Sequence, residues 1–191
     1  MKLWLPLFCW INCSVVAIGA QQKPADGPST AVGAKVTPVN MTDVTGKTWT
    51  LAELQAGVPG GKKRAVVLMF WCSTCHSCRS EEANFDTFAK AYKDKAVIAA
   101  LSVNRGETAQ SGTAFVQKKG MSFPVVYDAS GKATGTFGAK STTLVVLIDA
   151  DGVLRYRGPL KQNGINYTED ALKSVLAGKV VENKEVKDES G

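Results

Sequence analysis

One junction in this chain constrains its fold more than any other feature. Ala65-Val66-Val67-Leu68-Met69-Phe70-Trp71 is an unbroken apolar run. A short run of this kind, rich in β-branched and aromatic residues, reads as a strand buried on both faces of a sheet. Cys72, Cys75 and Cys78 follow at once. Residues 80–93 then carry Ala83, Phe85, Phe88, Ala89 and Tyr92 at helical spacing among charges. A buried strand that hands a Cys-x-x-Cys pair to a helix predicts a layered α/β protein with its chemistry at the hand-over.

The flanking segments fit the same plan. Asp43 to Lys47 reads as a turn before a strand at 48–51, and Thr50 can cap a short helix over 51–55. A second buried strand is predicted at 96–103 and a helix at 108–119. A short strand follows at 123–127. Two strands, 144–148 and 153–156, flank the Asp149-Ala150-Asp151-Gly152 turn as a hairpin. A closing helix is expected over 168–176, with Thr168 as its N-cap and Gly178 as its stop. Alternation first and a hairpin last predict a mixed central sheet flanked by helices.

The two ends read differently. Residues 1–20 begin with Lys2, continue as an apolar stretch and end on Gly19-Ala20. That pattern predicts a secretory signal peptide cleaved after Ala20. The alternative is an uncleaved anchor, since 3–19 is at the short limit for spanning a membrane. Lipid attachment at Cys9 or Cys13 is a further variant. Residues 21–34 read as a flexible linker, 35–180 as one domain and 181–191 as a polar disordered tail. Export to the periplasm or beyond suits disulfide chemistry. Loss of the signal leaves only three of the five cysteines, clustered as in a reactive site rather than spread as in a disulfide framework.

Charge excludes one class of partner. The formal net charge is +6, but acidic and basic residues are interspersed. No aromatic and basic platform for nucleic acid is present.

The cysteine spacing has a physical rationale. Cys75 is expected at the N-terminus of the helix, where unpaired amides and the helix dipole favour a thiolate. Cys78 falls on the same face one turn later, placed to attack a mixed disulfide on Cys75. His76, the only histidine, can add charge or a hydrogen bond to the thiolate.

Phe70-Trp71-Cys72-Ser73-Thr74-Cys75-His76-Ser77-Cys78-Arg79-Ser80-Glu81 resembles the active-site segment of the TlpA-like redoxins. These are exported thioredoxin-fold thiol–disulfide oxidoreductases of the AhpC/TSA redoxin type. Residues 46–51, 123–128 and 147–152 resemble further landmarks of that family. The resemblance implies a thioredoxin-like fold, with Cys75 attacking and Cys78 resolving. It implies that Glu81 matches a glutamate that assists proton transfer. It also places Thr142 and Thr143 in the loop that docks substrate. Protein thiols or disulfides are the expected partners, with a membrane or periplasmic redox protein, no cofactor and a monomeric chain. Three departures stand out: Thr74 replaces a tryptophan, Ala83 replaces a proline, and Thr143 replaces the cis-proline opposite the cysteines. A trans bond is therefore expected before Thr143.

Rival readings attach to the same residues. Cys72-Ser73-Thr74-Cys75-His76 also fits c-type haem attachment, with Met69 or Met121 as a second ligand. Cys72, Cys75 and Cys78 can be read as a metal site, as in copper delivery on a thioredoxin fold. A non-catalytic redoxin-like binding module is a further alternative. A peroxiredoxin would carry a threonine three residues before its reactive cysteine, where Cys72 stands.

Overall fold

The computed structural model describes residues 30–57 and 60–187. The signal segment and the greater part of the linker therefore lie outside the described residues. The chain runs β1 (Asn40–Thr42), β2 (Thr48–Thr50), α1 (Leu51–Ala56), β3 (Ala65–Trp71), α2 (His76–Tyr92) and β4 (Ala96–Ser102). It continues α3 (Ala109–Lys118), β5 (Val125–Tyr127), α4 (Lys132–Phe137), β6 (Val145–Ile148), β7 (Leu154–Gly158) and α5 (Tyr167–Leu176).

The strands form one mixed sheet in the order β2-β1-β5-β4-β3-β6-β7. β3, β4 and β5 are parallel, and the outer pairings are antiparallel. Every residue of β3 is buried, because the strand is central and both its faces are covered. Its side chains alternate between two cores, as the pleat requires. Ala65, Val67, Met69 and Trp71 pack with Phe85 of α2, Val116 of α3 and Leu172 of α5. Val66, Leu68 and Phe70 pack with Leu51 of α1 and Phe137 of α4. Among the described residues no helix is long and apolar enough to cross a membrane.

Local chemistry fixes the boundaries. Thr50 caps α1 in a reciprocal box with Glu53. Asp149 Oδ1 accepts from the amides of Asp151 and Val153, each at 2.9 Å, and Gly152 takes φ 79°, so the β6–β7 hairpin closes where the turn residues stand.

Several expectations need correction. Thr168 does not cap α5, which follows Asn166; it is fully buried and its hydroxyl donates to the Pro159 carbonyl at 3.0 Å. α4 was not expected: it is only six residues long and has no amphipathic repeat to read. Residues 30–34, placed in the linker, are bonded to the domain through Thr30 N–Thr136 O at 2.8 Å and Gly33 N–Leu154 O at 2.7 Å. Residues 181–187, placed in the tail, run along β7. Val181 is buried, and Glu185 pairs with Arg157 in bridge and ion pair.

Candidate active site

The site forms where β3 ends. Its last residue, Trp71, is held in the core, and the chain turns over residues 72–75 with the Cys75 amide donating to the Cys72 carbonyl at 3.3 Å. Cys75 is therefore extended (φ −76°, ψ 129°) and α2 starts behind it. Its sulfur lies at the positive end of a 17-residue helix.

The loop before β6 supplies the opposite wall. Thr142 Oγ1 stands 2.9 Å from Cys75 Sγ, and Ser77 Oγ stands 3.1 Å from it. Burial opposes ionisation of Cys75. Hydrogen bonds from Ser77, Thr142 and Cys78 outweigh it and lower the pKa from 9.0 to about 6. Cys78 is buried, at 0% exposure. That burial, helped by repulsion from Cys75, pushes its thiol up to about 12 against an opposing hydrogen bond from Thr142. Two cysteines three residues apart thus differ strongly in acidity: one is half-buried and ready to ionise, the other is protonated.

Thr143 has φ 75° and is 6% exposed. A β-branched residue in the left-handed region costs on the order of 1–3 kcal/mol. Part of the offset is visible, because the Thr143 amide donates to the Phe70 carbonyl at 2.7 Å. A proline has no such donor. The peptide bond before Thr143 is trans, and the loop is anchored through a contact that the replaced proline cannot make.

Two buried carboxyl groups support the site, and neither was expected from sequence. Glu107 accepts from the Ser73 amide at 3.0 Å, from Ser102 Oγ at 2.6 Å, from Asn104 Nδ2 at 3.3 Å and from the Ser73 hydroxyl. It ties the 72–75 turn to the end of β4. Burial opposes its charge, but hydrogen bonds led by Ser102 and Ser73 hold its pKa below the ordinary value. Glu82, 1% exposed and one turn beyond Cys78, accepts from Trp71 Nε1 at 3.2 Å and pairs with Lys119 Nζ at 2.6 Å. Glu81 is half-buried and accepts from Asn84 Nδ2 at 3.3 Å. His76 is exposed at the first position of α2.

The model of the AhpC/TSA family matches residues 32–157. The chain belongs to the AhpC/TSA family. A relative in Bacillus thuringiensis named thiol–disulfide oxidoreductase ResA is 32% identical over 129 residues, spanning 67% of this chain and 69% of the relative. A pneumococcal exposed lipoprotein thioredoxin from Streptococcus pneumoniae superposes with TM-score 0.53 at 25% identity, covering 72% of this chain and 99% of that one. A hypothetical protein of Sinorhizobium meliloti superposes with TM-score 0.65, covering 84% and 92%, and at 24% identity it shows the fold alone. The fold is thioredoxin-like, and this AhpC/TSA member is an oxidoreductase.

For this redoxin the residues named in the rival readings have definite surroundings. Cys72 Sγ faces Thr74 Oγ1 at 3.0 Å, and among the described residues no group of three His, Cys, Asp or Glu is placed to hold a metal ion. Haem attachment through Cys72 and Cys75 needs an open pocket and a second ligand. Cys72 is buried at the strand end and Met69 is fully enclosed in the core, whereas Met121 is half-buried at the edge of that core.

Proposed function

We propose that this chain is an exported thiol–disulfide oxidoreductase that exchanges electrons with protein thiols or disulfides through Cys75 and Cys78. The observation that carries the reading is the unequal setting of the two thiols: Cys75 is half-buried at the helix start against Ser77 and Thr142, while Cys78 is fully buried one turn later, which lowers one pKa to about 6 and pushes the other up to about 12. A low-pKa, accessible thiolate attacks; a buried, protonated thiol waits for the mixed disulfide and then resolves it. The Cys75 thiolate attacks a substrate disulfide and expels one substrate thiolate. Cys78 then loses its proton, attacks the Cys75 sulfur and expels the second thiolate, leaving a Cys75–Cys78 disulfide. The same steps in reverse reduce the pair.

In this reading His76 adds to the field at the helix start and Glu81 assists proton transfer beyond Cys78. Thr142 and Thr143 line the substrate's approach. Export rests on the pattern of residues 1–20, and the partner is a membrane or periplasmic redox protein.

Mass spectrometry after incubation with a model disulfide tests the exchange. Cys78→Ser is expected to trap a mixed disulfide on Cys75, and Cys75→Ser to form none. If the Cys78→Ser protein carries no adduct while wild type shows no acidic thiol, the exchange reading is wrong.

A further inference from the structure

We propose that the end of the sheet opposite the cysteines is a docking surface for a membrane bearing anionic lipid headgroups. The surface shares no residue with the exchange site and does not depend on its chemistry.

The fold gathers here charges that are scattered along the sequence. β3 and β4 are parallel, and Ala65 pairs with Ala96 at their first residues. Both strands therefore start at this end. The residues that lead into them, Arg64 and Lys95, meet at one groove with Lys62 and Lys63. α5 stops on the same side. Its last turn closes with the Gly178 amide donating to the Val175 carbonyl at 3.1 Å and the Lys179 amide to the Ser174 carbonyl at 2.8 Å. Gly178 supplies the φ of 67° that such a helix end favours. The turn sets Lys179 and Val180 on the groove, and Lys184 joins them. Among the described residues seven Lys and Arg line the groove against three Asp, an excess of four where the whole chain carries a net +6. One of the three, Asp149, is taken up by Arg155 at 2.5 Å and by turn amides. Lys62, Lys63, Lys179 and Lys184 are all exposed, and among the described residues none of them is in an ion pair.

Apolar side chains stand among these cations. Val180 is 76% exposed and Leu176 44%, and both line the groove. A bilayer surface offers a partner to each: a negative potential for the ammonium groups, and an apolar layer beneath the headgroups for the aliphatic side chains. The path of the chain favours a membrane over a soluble acidic partner. The Gly33 amide donates to the Leu154 carbonyl at 2.7 Å, and Val32 and Gly33 line the groove. Residues 1–29, with the apolar run at 3–19, therefore lead into this end of the domain. The cysteine end lies about 20 Å away across the seven residues of β3. Docking here leaves Cys75 facing away from the bilayer, open to protein partners.

The test incubates the full chain with vesicles of phosphatidylcholine alone or mixed with phosphatidylglycerol. Amine labelling read by mass spectrometry gives the footprint. Lys62, Lys63, Lys179 and Lys184 are expected to react severalfold more slowly on the mixed vesicles, while Lys118, Lys132, Lys140 and Lys161, which lie outside the groove, keep their rates. Equal protection of both sets, or of neither, overturns the proposal. Sedimentation then compares two charge-matched variants that both retain residues 1–20. Wild type should prefer the mixed vesicles by roughly tenfold or more at low salt, and high salt should erase the preference. Lys62→Glu, Lys63→Glu, Lys179→Glu and Lys184→Glu combined should abolish it. The same reversal at Lys118, Lys132, Lys140 and Lys161 should leave most of it. If the two variants lose it equally, net charge alone is at work and the docking surface is wrong. A soluble polyglutamate peptide that protects the groove lysines as well as the mixed vesicles do overturns the membrane assignment in favour of an acidic protein partner.

Discussion

At the residue scale the site is an exercise in unequal solvation. Cys75 and Cys78 share a helix, yet one sulfur meets two hydroxyls and the helix terminus while the other is enclosed by the core. Since the folded Cys75 ionises near 6 instead of 9.0, its attack rate should rise with pH to a plateau above about pH 7. The linkage has a definite sign. A depressed acid pKa contributes stability that is full above the unfolded value and is lost as pH falls through the folded one. Denaturant unfolding of the reduced protein should therefore lose stability relative to Cys75→Ala between pH 9 and pH 5. An unchanged difference would contradict the depressed pKa. His76 stands at the first helical position, where proline is well tolerated. His76→Pro should keep the fold and make the pair more reducing, as read by equilibration with glutathione. The cysteine pair and its order along the helix were legible in the sequence, and the family resemblance pointed to the Thr142-Thr143 loop. The Thr142–sulfur bond was not, because nothing local tells which residue 67 positions away will face Cys75. Glu107 and Glu82 were missed for the same reason: a carboxyl group written among surface-like residues gives no sign that the fold will bury it.

At the element scale, prediction succeeded where periodicity is strong. β3, β4, α3 and the β6–β7 hairpin lie where the apolar runs and turn residues put them. It failed at elements too short to show a period, such as α4 and β1, and at the start of α5, which follows Asn166 rather than Thr168. The β6 approach loop shows what an element gains from an unusual residue. Thr143 holds φ 75° and donates to Phe70, so it joins the loop to the C-terminal part of β3. Restoring the family's proline should therefore harm this chain. Thr143→Pro removes the donor, and a proline φ near −65° is incompatible with the observed backbone. The loop must rebuild or the protein loses about 3 kcal/mol or more. Chemical denaturation is expected to show that loss, together with a rise in the Cys75 pKa as Thr142 is displaced. A variant as stable as wild type would mean that the loop accepts the cis-proline form and that the Phe70 bond contributes little.

At the scale of the whole molecule, the sheet separates chemistry from closure. Cys75 follows the Trp71 end of β3, whereas Ala65 at the other end shares a groove of about 820 Å³ with Asp149, Val181 and Lys184. The segment after α5 closes that second pole and covers β7, the outermost strand of the sheet. The Arg157 amide donates to the Lys184 carbonyl at 2.9 Å and the Val186 amide to the Arg157 carbonyl at 3.0 Å, so the segment acts as a partial edge strand. Val181 is 6% exposed, and burial of one valine contributes about 1.5–3 kcal/mol. The Arg157–Glu185 pair has one exposed partner and adds less than about 1 kcal/mol. Two backbone hydrogen bonds add roughly 1 kcal/mol each. Deleting residues 181–191 should then cost about 3.5–6 kcal/mol, which in a protein of this size lowers Tm by roughly 7–24 °C. The Cys75 titration should stay where it is, since Ser77, Thr142 and Cys78, which hold the sulfur, all lie outside the deleted segment. Thermal unfolding and thiolate absorbance on the same truncated protein separate the two effects. A large shift in the Cys75 pKa would mean that the two poles are coupled through the sheet, and an unchanged Tm would mean that the segment does not close the edge of β7.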